Sequence, residues 1–97
     1  MTRTVHRGAE ADLTEAFRFY RREGGSGLAA RFLKEIERVA RLLEQYPGLG
    51  TPTNADRRSY PIGDFPYSII YKIDQEGIRI LVVRHQNRDP EYGDDRG

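Results

Sequence analysis

Apolar positions recur at helical spacing through the first half of the chain and at strand spacing through the second. Leu13, Ala16, Phe17 and Tyr20 stand at i, i+3, i+4 and i+7, which places them on one face of a helix beginning near Ala9, after Gly8. Glu10, Asp12 and Glu15 lie at its start and Arg18, Arg21 and Arg22 near its end, a polarity that suits the helix dipole. Gly24–Gly25 stops it. Ser26 is a fitting N-cap for a second helix, whose stripe is Ala29, Phe32, Leu33, Ile36, Val39, Ala40 and Leu43. Glu37 and Arg41 make a favourable i, i+4 pair on its polar side, and Pro47–Gly48 ends it. So short a link between two helices makes them antiparallel, as a hairpin. Stripes only a few turns long, with a sheet following that needs cover, read as core.

The second half turns to period two. The segment 58–62 is a short strand whose Pro61 suits an edge or irregular pairing, and Gly63–Asp64 makes a turn. Tyr67, Ile69, Tyr71 and Ile73 then alternate with Ser68, Ile70 and Lys72. Asp74–Gly77 reads as a hairpin loop with glycine placed for positive φ, followed by the strand Ile78–Arg84. Strict alternation puts Ile78, Ile80 and Val82 on one side of that strand and Leu81 and Val83 on the other. It is therefore apolar on both faces, while the chain offers a single helical layer. Ile70, Leu81 and Val83 accordingly form an apolar surface open to a partner, unless the sheet curls or the tail folds back over it. Upstream, the stretch 2–7 with Val5 is a further short strand beside the sheet.

These elements give an α+β fold in two layers: an N-terminal strand, a helical hairpin, then a mostly antiparallel sheet of three to four strands. At 97 residues it is one domain, taken as residues 1–92 with 93–97 a flexible tail. The absence of cysteine excludes disulfides and thiolate chemistry and suits the cytoplasm. There is no apolar run of membrane-spanning length, and the N-terminus lacks the apolar core of a signal peptide. A net charge of +1 does not mark a stand-alone nucleic-acid binder. No metal or other cofactor is expected, because His6 and His85 are the only histidines and no acidic ligand spacing accompanies them. The turn-rich connection 49–55 has glycines but lacks the Gly-Lys-Ser/Thr ending of a phosphate loop.

The helix start AEADLTEAFRFY, the segment ARFLKEIERVARLLEQYPGLGTP and the meander RSYPIGDFPYSIIYKID…IRILVVRHQNRDP follow one another in an order and at a length that carry a family likeness. From Val5 to Tyr92 the chain resembles the RelE/ParE superfamily of toxins from bacterial type II toxin–antitoxin systems. The resemblance implies a compact α/β fold, and a partner antitoxin encoded beside the toxin whose C-terminal segment wraps it. It also implies one of two targets, DNA gyrase or ribosome-bound mRNA. The assembly, homodimer or toxin–antitoxin hetero-oligomer, is left open by the residues.

Cleavage of mRNA needs a base for the 2′-hydroxyl, cations for the scissile phosphate and an acid for the leaving oxygen. The residue types present for it are His85 as acid or base, Arg57, Arg58, Arg84 and Arg88 as phosphate clamps, and Tyr92 as a stacking or proton-donating group. Each also has a plainer role, in surface hydrogen bonds or in ion pairs with Asp56, Asp89 or Glu91. The nuclease branches use lysines, or a glutamate beside a terminal His-Tyr pair. Here Gln86 follows His85, no lysine lies near the strand tips, and residues 47–55 contain no acid. The expectation is a ParE-like toxin that acts by binding gyrase. The alternatives are a metal-independent mRNA endoribonuclease and an inactive interaction domain of the same fold.

Overall fold

A computed structural model describes residues 2–97. The chain runs through β1 (Thr2–Val5), the helical segment α1 (Arg7–Gln45), a 3-10 turn (Pro47–Leu49), β2 (Thr51–Pro52), β3 (Arg57–Pro61), β4 (Tyr67–Asp74) and β5 (Gly77–His85). Gly25 breaks α1, with φ 82° and ψ −178°, a conformation open to glycine and strained for other residues. A straight helix of this length would reach about 58 Å at 1.5 Å per residue, whereas the longest dimension of the molecule is 38 Å. The two arms fold back on each other, and the rings of Tyr20 and Phe32 meet across the hairpin with centroids 5.1 Å apart. The first arm starts two residues earlier than its apolar spacing predicts. His6 is its N-cap, and its Nδ1 accepts the Gly8 amide at 2.9 Å.

The sheet has the order β1-β5-β4-β3-β2; β1 runs parallel to β5 and the other pairs are antiparallel. This is the expected α+β arrangement, with five strands because the turn-rich connection contributes the two-residue β2. Pro61 lies at the end of β3, opposite Ser68 and beyond the part of β3 that β2 covers. Gly77 is required where β1 docks: its φ is 142°, and a Cβ there would lie 2.0 Å from the Thr2 carbonyl oxygen.

One face of the sheet packs on the helical hairpin. Phe32, Val39 and Leu43 meet Ile69, Tyr71, Ile78 and Ile80 there in one buried cluster, with Phe65 and Tyr20 closing its aromatic end. Leu33 is the member of the predicted stripes that stays exposed.

The strict alternation expected along β5 does not hold. A bulge pairs Ile70 with Val82 but Tyr71 with Ile80, so Leu81 is an extra residue. Beyond it the side chains change face. Val83 joins the helix-side core, and Leu81 and Val82 both turn to the far side with Ile70. The far face is not open either, since Ile70, Leu81 and Val82 are 3%, 0% and 1% exposed beneath Tyr92 and the segment around it. Residues 93–97, expected to be a flexible tail, are docked on the sheet instead.

Candidate functional site

β1 covers the outer edge of β5 only as far as Ile80, where His6 N donates to the Ile80 carbonyl at 2.8 Å. The strand continues to His85, so the backbone groups that follow need other partners. Asp12 and Arg96 supply them. The Asp12 carboxylate accepts the Val83 amide at 3.0 Å, and the Arg96 guanidinium donates to the Leu81 carbonyl at 2.9 Å. The two side chains pair with each other at 2.7 Å, and the Tyr92 hydroxyl donates to the same carboxylate at 2.5 Å. An ion pair between the first helical arm and the end of the chain thus extends the sheet edge where β1 stops.

Asp12 is 6% exposed, the one buried charged residue among the described residues. The sequence holds a signal for it: with Ala9, Ala16 and Tyr20 it follows helical spacing, which sets an acid inside an apolar stripe. Arg96 carries no such signal. The hydrogen bond to Asp12, and secondarily burial, hold the Tyr92 phenol above its ordinary pKa. The bond to Asp12 raises that of Arg96 as well, against its desolvation.

The chain from Arg88 to Gly97 crosses the far face of the sheet as a strap. Arg57 donates to the carbonyls of Gly93 and Asp94, each at 2.9 Å, and to that of Arg96. Arg84 donates to the Pro90 carbonyl at 2.8 Å, and Arg79 to that of Gly97 at 3.2 Å. Gly93 lies flat on Val82, where a Cβ would come within 2.5 Å of a Val82 methyl. Between the strap and the sheet remains a groove of about 290 Å³ that includes Arg57, Arg84, Ile70 and Tyr92.

The residues that suggested nuclease chemistry divide between separate places. Successive residues of a strand point to opposite faces, and Arg84 and His85 are successive. Arg84 lines the strap groove; His85 lies on the helix side, its ring edge-on to Tyr67 at 5.0 Å, beside a recess of about 40 Å³ with Asp12, Glu15 and Arg88. His85 Nδ1 accepts the Asn87 amide at 3.0 Å, which assigns a neutral ring's proton to Nε2. Arg57 and Arg58 part in the same way. Arg58 donates to the carbonyls of Gly48 and Gly50 at 3.2 and 2.8 Å, near the Tyr71 hydroxyl that bridges Pro47 and Gly50. Arg88 stacks over the Tyr92 ring at 4.2 Å and stands 4.0 Å from Glu15. Of the residues singled out, Arg57, Arg84 and Tyr92 meet at the strap groove, His85 and Arg88 share the recess, and Arg58 is elsewhere. Among the described residues, no group of three or more histidines, cysteines and acids forms a metal site.

Comparison with known proteins places this geometry. A family model described as the ParE toxin of the type II toxin–antitoxin system parDE matches residues 4–90. Toxin ParE2 of Mycobacterium tuberculosis, in two strains, is 32% identical over 86 residues, covering 89% of this chain and 82% of its own length. A solved structure titled as the chromosomal ParDE TA system from P. aeruginosa superposes with a TM-score of 0.79 at 24% identity. It covers 88% of this chain and 95% of its own, a likeness of fold. A match over nearly the whole length, on a strand, a broken helix and a meander in this order, means that the chain belongs to the ParE toxin family of type II toxin–antitoxin systems.

Proposed function

We propose that this toxin arrests growth by binding DNA gyrase, and that it does not cleave mRNA. The observation that supports a binding mode is the division of the candidate catalytic groups between the two faces of β5. His85 stands on the helix side with Arg88, while Arg57 and Arg84 line the strap groove with Tyr92. General acid–base chemistry needs its proton-transfer group within hydrogen-bond reach of the reacting atoms that the cations hold. The Arg57, Arg58 and Arg84 guanidiniums are already bonded to backbone carbonyls of their own chain, and Arg88 stacks over Tyr92 near Glu15. Gyrase as the target follows from the resemblance to the ParE branch of the superfamily.

The partner on this reading is a cognate antitoxin, as the ParDE system of P. aeruginosa has for its own toxin. Its docking face is the far side of the sheet, carried by Ile70 and Leu81, with Val82 in the place that strict alternation gave to Val83.

Two assays on the purified protein test the target. Supercoiling by gyrase should be inhibited or cleaved complexes should accumulate, while mRNA on translating ribosomes stays intact. The substitution His85→Ala should leave growth arrest unchanged. Codon-positioned cuts in mRNA that disappear in His85→Ala would reverse the assignment to the endoribonuclease reading.

A further inference from the structure

The strap is attached in a way that sets it apart from the rest of the fold. Its backbone hydrogen bonds are all local, each spanning three residues: Arg88 to His85, Tyr92 to Asp89, Asp94 to Glu91 and Arg96 to Gly93. Every bond from the strap to the sheet or helix involves a side chain, chiefly Arg57, Arg84, Arg96 and Asp12. Lifting it breaks no strand ladder. It would uncover Ile70, Leu81 and Val82, flanked by the freed guanidiniums of Arg57 and Arg84.

We infer that residues 88–97 form a releasable strap which occupies in cis the surface that an acidic segment of the antitoxin takes in trans. This rests on the toxin–antitoxin reading above. The chemistry of the occupant is written in the strap. It carries the acids Asp89, Glu91, Asp94 and Asp95, presents carbonyls to Arg57, sets one aromatic ring on the apolar patch and brings one guanidinium to Asp12. A segment that replaces it needs acceptors for Arg57 and Arg84, which the strap meets with backbone carbonyls and an acidic segment would meet with carboxylates, together with an aromatic anchor and a cation for Asp12. That last requirement is the specific one, because an unpaired buried carboxylate is strongly unfavourable. The strap would then hold the isolated toxin's apolar face out of water and yield it only to a partner able to satisfy Asp12.

The chain has no cysteine, so a reversible lock can be built without side reactions. Asn54 and Asp94 contact each other across the strap at 3.4 Å. In the variant Asn54→Cys with Asp94→Cys, oxidation ties the strap down and reduction frees it, in the same full-length protein. Titrated with the antitoxin encoded beside the toxin gene, the oxidised form should bind at least 10-fold more weakly than the reduced form, whose affinity should match that of the unmodified chain. Equal affinity in both redox states overturns the inference. Amide exchange in the unmodified toxin alone is a second, partner-independent measurement. Tyr92, Asp94 and Arg96 amides should exchange at least 10-fold faster than those of Ile69 and Ile80. Exchange as slow as in the core would show that the strap opens only on global unfolding, and would overturn the inference too. Failure of the unmodified toxin to bind the antitoxin removes the partner reading, and the exchange rates then still decide whether the strap releases.

Discussion

Asp12 ties three separate parts of the chain together. It joins the first helical arm to the β5 backbone, to Tyr92 and to Arg96. Removing one member of a buried ion pair leaves the other uncompensated, which costs about 3–5 kcal/mol, against a total stability of about 5–15 kcal/mol for a small domain. Asp12→Ala and Arg96→Ala should therefore each lower the urea midpoint sharply. The double variant should lose clearly less than the sum of the two, and additive losses would mean that the pair is not coupled in solution. Tyr92 gives the site a pH signature. Its folded-state pKa is raised because the phenol O–H donates to Asp12. The stability this provides is complete below the ordinary phenol value of about 10 and is lost as pH rises through the raised folded value. An alkaline unfolding titration should show this loss, and Tyr92→Phe should remove that component of it.

The elements that were legible in the sequence are those whose periodicity is uninterrupted. Leu13, Ala16, Phe17 and Tyr20, and the stripe from Ala29 to Leu43, gave the hairpin because 3.6-residue spacing over several turns admits little else. The Gly25 break and the 74–77 loop were marked by glycines that take positive φ. The bulge was not legible. Leu81, Val82 and Val83 are all β-prone and apolar, so no polar residue marks where the alternation slips, and the face assigned to Val83 was reversed. The edge strand β2 was missed because two residues carry no period. Gly77 offers a test at this scale. Gly77→Ala would strain a φ of 142° and drive a methyl into the Thr2 carbonyl. Backbone strain of this kind costs about 1–3 kcal/mol, and the loss should fall on β1. Amides in β1 and at His6 should lose protection before those of the β3–β4 pairing; uniform loss throughout the sheet would contradict the local account.

Over the whole molecule, the candidate site was half legible. The arginines, His85 and Tyr92 were visible as residue types, and their distribution over two faces of a bulged strand was not, because it depends on register. The strap was read as a frayed tail, since DDRG is polar and shows no period; what holds it is an acid more than eighty residues away in sequence. The polar composition that makes the segment look disordered is met here by arginines that bond its backbone carbonyls and by acids that pair with Arg88 and Arg96.

The parallel pairing of β1 with β5 joins Thr2 to Gly77 and Val5 to Ile80. β1 is thus completed by β5, which follows it by about seventy residues, and the Asp12–Arg96 pair closes only after β5 has been made. A contact between chain ends must wait for the intervening loop to be synthesised and closed. During translation the nascent chain holds a helical hairpin and later an incomplete sheet, without its finished face. A chain that ends before Gly77 lacks β5 altogether, and with it the edge on which β1 docks and the far-side residues Leu81 and Val82. Docking of the edge strand and closure of the Asp12–Arg96 pair therefore both wait for β5.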